Sequence, residues 1–174
     1  MSIRKINISG AIFTMIAGTF LHFAYDLSGG SDFVAIFSAI NESTWEHLKL
    51  IFFPVVLFAI AEYFIYGKTT PNFLAAKTIS LIVGMLSIVA IFFTYTGVWG
   101  ESVGIINILL FLSATILTYY LAYSFIELQA FSEPLLNRIS PFILIGIFIM
   151  FWVFTFYPPL INLFRDPISG GFGI

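Results

Sequence analysis

Apolar stretches long enough to cross a bilayer recur five times along this sequence, with short polar breaks between them. A hydrocarbon core about 30 Å thick is crossed by about 20 residues of helix. Residues 6–24, 48–66, 73–96 and 103–126 meet that length, and a fifth run opens at Pro141 and ends at Pro158-Pro159. Composition removes the soluble alternative. The chain is 60% hydrophobic and only 9% charged, against about 25% charged residues in soluble domains, so lipid must be the solvent for most of its surface. The expected fold is therefore all-α: an integral membrane helical bundle of about five transmembrane helices, with residues 1–174 as a single transmembrane domain. Seven Lys and Arg without a basic stripe or tail exclude a nucleic-acid partner. The absence of cysteine excludes disulfides, thiolate metal sites and Cys nucleophiles.

The breaks between spans carry most of the information. Arg4 and Lys5 precede the first run as in a secretory signal. No small-x-small cleavage site follows, and the run ends in His22, Tyr25 and Asp26, so it reads as a retained helix. Residues 27–32 are a turn by residue type. Residues 33–40 are apolar but too short to span, which predicts a short re-entrant or interfacial helix after the first span, with Asp32 as its N-cap. Ser43-Thr-Trp-Glu46 has capping-box spacing and marks the start of the second span. Pro54 lies inside that span and should bend it, freeing the Leu50 carbonyl. Residues 127–140 are polar enough for a loop or surface helix, and Pro141 suits a helix start.

Orientation follows the basic residues of short loops. A cytoplasmic N-terminus and an outside C-terminus put Arg4, Lys5, Lys68, Lys77 and Arg138 inside and only Lys49 and Arg165 outside. That orientation gathers His22, Asp26, Asp32, Glu42, Glu46, His47, Glu101 and Asp166 near the outer face. His22 and Asp26 are four residues apart and share a helix face, and Glu42 and Glu46 have the same spacing. Like charges so spaced call for a cation, a shared proton or a basic partner. If the first two spans pack side by side, two imidazoles and several carboxylates converge. A sulfur-free N/O set suits a divalent metal such as Zn, Mn or Fe. His22, Glu46 and His47 are the expected ligands, and Glu42 or Asp26 the expected catalytic base or outer support.

The same residues have plainer uses. Glu42 and Glu46 favour a positive helix N-terminus, Lys49 is spaced to pair with Glu46, and His22 can bond to Asp26 alone. Glu62 reads as a paired or snorkelling carboxylate near the opposite end of its helix. Asn107 reads as an interhelical hydrogen-bonding group. Arg165-Asp166-Pro167 with its glycines reads as a turn, with a tail folded over the outer cluster as the alternative.

Asn41-Glu-Ser-Thr-Trp-Glu-His47, His22-Phe-Ala-Tyr-Asp26 and the ending Asp166-Pro to Gly-Phe-Gly-Ile174 resemble a family of small bacterial multi-pass membrane proteins catalogued as a domain of unknown function. The resemblance covers the whole chain and implies a bacterial inner (cytoplasmic) membrane location. It implies no activity. Three functional readings stay open: a metal-dependent membrane hydrolase, a carrier or ion-coupled transporter, and a non-catalytic accessory or sensor protein. A protein partner or a homo-oligomer is left open as well.

Overall fold

The computed structural model describes residues 2–174, whose regular structure is helical, with no strand beyond an isolated bridge between Arg165 and Phe172. Five long helices form the bundle: α1 (Ile3–Leu27), α3 (Thr44–Ile65), α4 (Phe73–Trp99), α5 (Gly104–Glu127) and α6 (Pro134–Phe156), all long and apolar enough to cross a membrane. A single-turn α2 (Asp32–Ala35) follows the first span, at the place expected for a re-entrant or interfacial helix. Its N-cap is Ser31, and Asp32 is its first helical residue. The outward surface is covered by large apolar side chains such as Phe20, Phe64, Leu86 and Phe142. In water such a surface would drive aggregation; in lipid it is the solvated face.

The bundle packs α1 against α3 and α5, and α4 against α5, α6 and α3. Lipid gives helices little hydrophobic reason to associate, so small residues at close contacts and internal hydrogen bonds hold them together. On α1 these are Gly10, Thr14 and Gly18, all buried and spaced by four, hence on one face. Thr14 Oγ1 lies 3.0 Å from the Tyr119 hydroxyl of α5. A Cβ on Gly18 would overlap the Leu50 carbonyl oxygen of α3 and stand 2.6 Å from Phe111 Cζ of α5. Leu50 is the residue whose carbonyl Pro54 deprives of its helical partner. The uncapped carbonyl and the missing side chain therefore meet, and α1 and α3 approach closely one turn below His22.

Two ion pairs are buried near opposite ends of α3. Near its start, Lys49 Nζ lies 2.6 Å from Glu46 Oε2 and donates to the carbonyls of Ala35 and Ser38 and to Thr155 Oγ1. These bonds satisfy backbone around α2 that is not part of a long helix, which membrane depth requires. Near its end, Lys77 Nζ of α4 lies 2.6 Å from Glu62 Oε2. Glu62 Oε1 accepts from the Tyr66 hydroxyl, and Asn7 accepts from Lys77. Glu62 is thus paired inside the bundle rather than snorkelling.

One boundary differs from expectation. The fifth span begins at Pro134, which sits at the helix start, and Pro141 lies two turns inside it. The fixed φ of proline suits the first position of a helix, and either proline satisfies that rule; the earlier one takes the role. Asn137 then anchors the added turns, accepting from the Ala75 N–H and donating to the Pro71 carbonyl.

Candidate metal centre

Local sequence dictates where α3 begins, and that boundary leaves Glu42 outside the helix. Ser43 Oγ accepts from the Glu46 N–H at 3.3 Å, which caps the helix as the spacing predicts. The reciprocal half of the capping box is absent. The Ser43 N–H goes to Asn41 Oδ1 at 2.9 Å, and the Glu46 carboxylate accepts from the Ile40 N–H at 3.2 Å. With Ser43 as the cap, Glu42 precedes the helix and Glu46 lies in its first turn. The four-residue rule for a shared helical face then does not apply to the pair. Glu46 turns into the bundle toward Lys49, and Glu42 turns toward the histidines.

His22, Glu42 and His47 each offer a donor atom, and the three atoms lie within 4.8 Å of one another. His22 Nε2 is 3.7 Å from Glu42 Oε1, and His47 Nε2 is 3.4 Å from Glu42 Oε2. Ligands at 2.0–2.1 Å from a tetrahedral ion stand about 3.4 Å apart, so small side-chain rotations suffice to enclose a cation. The side chains are 33%, 38% and 23% exposed, in the order His22, Glu42, His47, which leaves one side of the group open.

The tautomer of His47 follows from its surroundings. Its Nδ1 lies 2.9 Å from the Ser43 carbonyl oxygen. A carbonyl only accepts, so Nδ1 carries a proton, and the neutral ring turns a lone pair at Nε2 toward Glu42. Lone pair and carboxylate then face one another, an arrangement that a proton or a metal ion between them relieves. An imidazole whose far nitrogen donates to a carbonyl is also the usual setting of a metal-binding histidine.

Of the five residues singled out in the sequence, three converge: His22, His47 and Glu42, the last expected as a base and found beside the other two as a donor. Glu46, expected as a ligand, is 3% exposed and bound to Lys49, Thr155 and the Ile40 N–H. It holds the segment leading to Glu42 instead of facing the donors. Asp26 is exposed on the rim and lies outside the group of three.

Two further elements shape the site. Asn107 of α5 accepts from the Tyr95 hydroxyl of α4 and donates to Ser102 Oγ at 2.9 Å, as an interhelical group would. It also lines each of the three cavities around Glu42. The C-terminal tail folds back. Leu163 accepts from the Trp45 N–H at 3.0 Å, and Gly173 accepts from Asn41 Nδ2 at 3.1 Å. Phe164 packs on the Trp45 ring. The Asp166 carboxylate closes its own turn by accepting from the Ile168 N–H and Ser169 Oγ. The string Trp45-Glu46-His47 thus divides its labour: the first residue seats the tail, the second holds the preceding loop, and the third faces the cavity.

Sequence reading missed Gly18. Its signal was present: Gly10, Thr14, Gly18 and His22 repeat every four residues and mark one contact face that ends at the histidine.

Fold and site together define an all-α membrane bundle with a half-open group of two histidines and a glutamate at one end. The chain belongs to a family described as Family of unknown function (DUF6512), whose model matches residues 1–174. No curated protein and no solved structure matches it.

Proposed function

We propose that this protein is a divalent-metal-dependent hydrolase of a bacterial inner membrane, with His22, Glu42 and His47 as the metal ligands. The observation that carries this is the convergence of one donor atom each from His22, Glu42 and His47 within 4.8 Å of one another, with His47 Nε2 facing Glu42 at 3.4 Å. Two nitrogens and one oxygen, with no sulfur, suit Zn, Mn or Fe. A bound cation of this kind supplies a water made acidic enough to attack an ester, amide or phosphoester at neutral pH. Glu42 would hold such a cation together with His22 and His47, and its carboxylate would also serve to accept a proton from water. Asp26 lies outside this group of three and is given no role in the scheme.

The direction of the site follows from the exposed cations. Arg4, Lys5, Lys68 and Arg138 lie at the end of the bundle opposite His22, and Arg165 is the exposed cation at the same end. Positive residues stay inside, so the N-terminus is cytoplasmic and the site faces out. The carrier reading is less favoured. The three cavities around Glu42 reach no farther along α3 than Leu50, and Ile51, Phe52 and Val55 are buried below it.

The test is metal content of detergent-purified protein prepared without chelators, measured for Zn, Mn and Fe. One metal per chain is expected, lost in Glu42→Gln and in His47→Ala and kept in Glu46→Gln. A wild-type protein that binds none of the three, even when reloaded, refutes the proposal.

A further inference from the structure

The two larger cavities at the site have different surroundings, and they meet at Glu42, Gly104 and Asn107, which line both. A bay of about 780 Å³ takes its walls from the loop after α4 and from the C-terminal tail, including Glu101, Arg165 and Asp166. Glu101 and Arg165 are exposed polar groups of the rim. A crevice of about 300 Å³ runs between α1 and α5 and is mostly apolar, with Phe23 and Ile108 on its walls and Leu50 and Phe111 deeper in. Both volumes fall in the range of small-molecule sites. Phe23 and Ile108 are 54% and 57% exposed on helices long enough to span the bilayer, so the crevice opens onto acyl chains. Leu50 is only 4% exposed, so its far end lies inside the bundle.

Depth agrees with this geometry. His22 lies five residues from the end of α1, about 8 Å along the axis at 1.5 Å per residue. A helix of 25 residues is about 38 Å long and overruns a hydrocarbon core of about 30 Å. The three donors therefore stand near the boundary between acyl chains and headgroups, where the linkages of a membrane lipid also lie.

We infer that the substrate is a bilayer lipid that enters sideways between α1 and α5. Its acyl chain occupies the crevice, its headgroup occupies the bay, and the ester, amide or phosphoester joining them lies over Glu42. This deepens the hydrolase proposal and rests on it for the chemistry, though not for the binding. Water oxygen bonds to the carbonyl carbon or phosphorus, the bond to the leaving oxygen or nitrogen breaks, and the proton taken from water by Glu42 passes to the leaving atom. Water is the sole co-reactant. A water-soluble substrate would need the bay alone and would give the apolar crevice no role.

Photolabelling tests the binding. The protein is reconstituted in liposomes containing phosphatidylcholine, phosphatidylethanolamine or phosphatidylglycerol with a diazirine on one acyl chain, and labelled residues are mapped by mass spectrometry. Label at Leu50 or Phe111 is expected with at least one of the lipids, alongside general label at lipid-facing positions such as Phe142, which is 73% exposed. Thr19→Trp plugs the crevice from its lipid side. Gly104→Phe fills the junction of crevice and bay, where a side chain meets open space. Both variants should lose the label at Leu50 and Phe111 and keep it at Phe142. Label confined to lipid-facing positions with all three lipids, or deep label indifferent to both substitutions, overturns the inference. Metal content measured on the same preparations, made without chelator and reloaded, separates the two proposals. Deep label in a protein that binds no metal removes the metal proposal alone, and bound metal without deep label removes the lipid inference alone.

Discussion

Gly18→Ala asks whether the approach of α1 to α3 sets the proposed metal centre. The new Cβ would overlap the Leu50 carbonyl oxygen and stand 2.6 Å from Phe111 Cζ, where ordinary contact begins near 3.4 Å. A backbone carbonyl cannot swing aside as a ring can, so the helices must part by about 1 Å, at an overpacking cost of about 1–3 kcal/mol. His22 is one turn above Gly18 and moves with it, away from donors already spread over as much as 4.8 Å. Loss of support around a metal ligand typically weakens binding about 10–100-fold, and a rise of that size in the Zn dissociation constant is expected. Gly10→Ala is the control. It meets the rings of Phe58 and Tyr119, which can tilt, and it lies about 12 Å along the helix from Gly18 at 1.5 Å per residue. It should lower the melting temperature and leave Zn affinity alone. The assay is competition against a fluorescent chelator in detergent, with thermal melts in the same buffer. A folded Gly18→Ala protein that binds Zn as the wild type does refutes the coupling.

Three further outcomes follow from the same contacts. Lys49→Met leaves the buried Glu46 without its cation and should cost about 3–5 kcal/mol, while Lys49→Met with Glu46→Leu should recover part of that loss; a single variant that melts like the wild type would contradict the buried pair. Metal affinity should fall on acidification, because protons compete with the cation for the histidine nitrogens and the carboxylate; affinity that stays level from neutral to mildly acid pH argues against histidine ligands. Burial, and then the Glu62 carboxylate, hold the Tyr66 phenol well above its ordinary range. The stability this represents is present below about pH 10, the ordinary phenol value, and is lost as pH rises toward the higher folded value. Tyr66→Phe should therefore flatten the alkaline fall in melting temperature, and an unchanged alkaline slope would exclude Tyr66 as its source.

Much of this protein is legible in one dimension. Lipid solvation demands runs of apolar residues, so the spans appear directly in the sequence, and Ser43 announces the start of α3 because capping is a local interaction. The pairing of Lys49 with Glu46 is local in the same sense. Local rules also explain the errors. Pro134 and Pro141 are equivalent as helix starters, and only the contacts of Asn137 with the α4 end of the bundle accompany the earlier choice. Glu42 and Glu46 look like one helical face until the cap at Ser43 places one of them outside the helix.

The membership of the converging group lies beyond such rules. His22 and His47 are 25 positions apart, and their meeting depends on a glycine facing an uncapped carbonyl across two helices. The tail reaches Asn41 and Trp45 from more than a hundred residues away. Hydropathy and capping are properties of neighbours in the chain and were determined by the sequence alone. Convergence of donors is a property of packing between helices, and only the tertiary structure decided that Glu42, rather than Glu46, stands beside the two imidazoles.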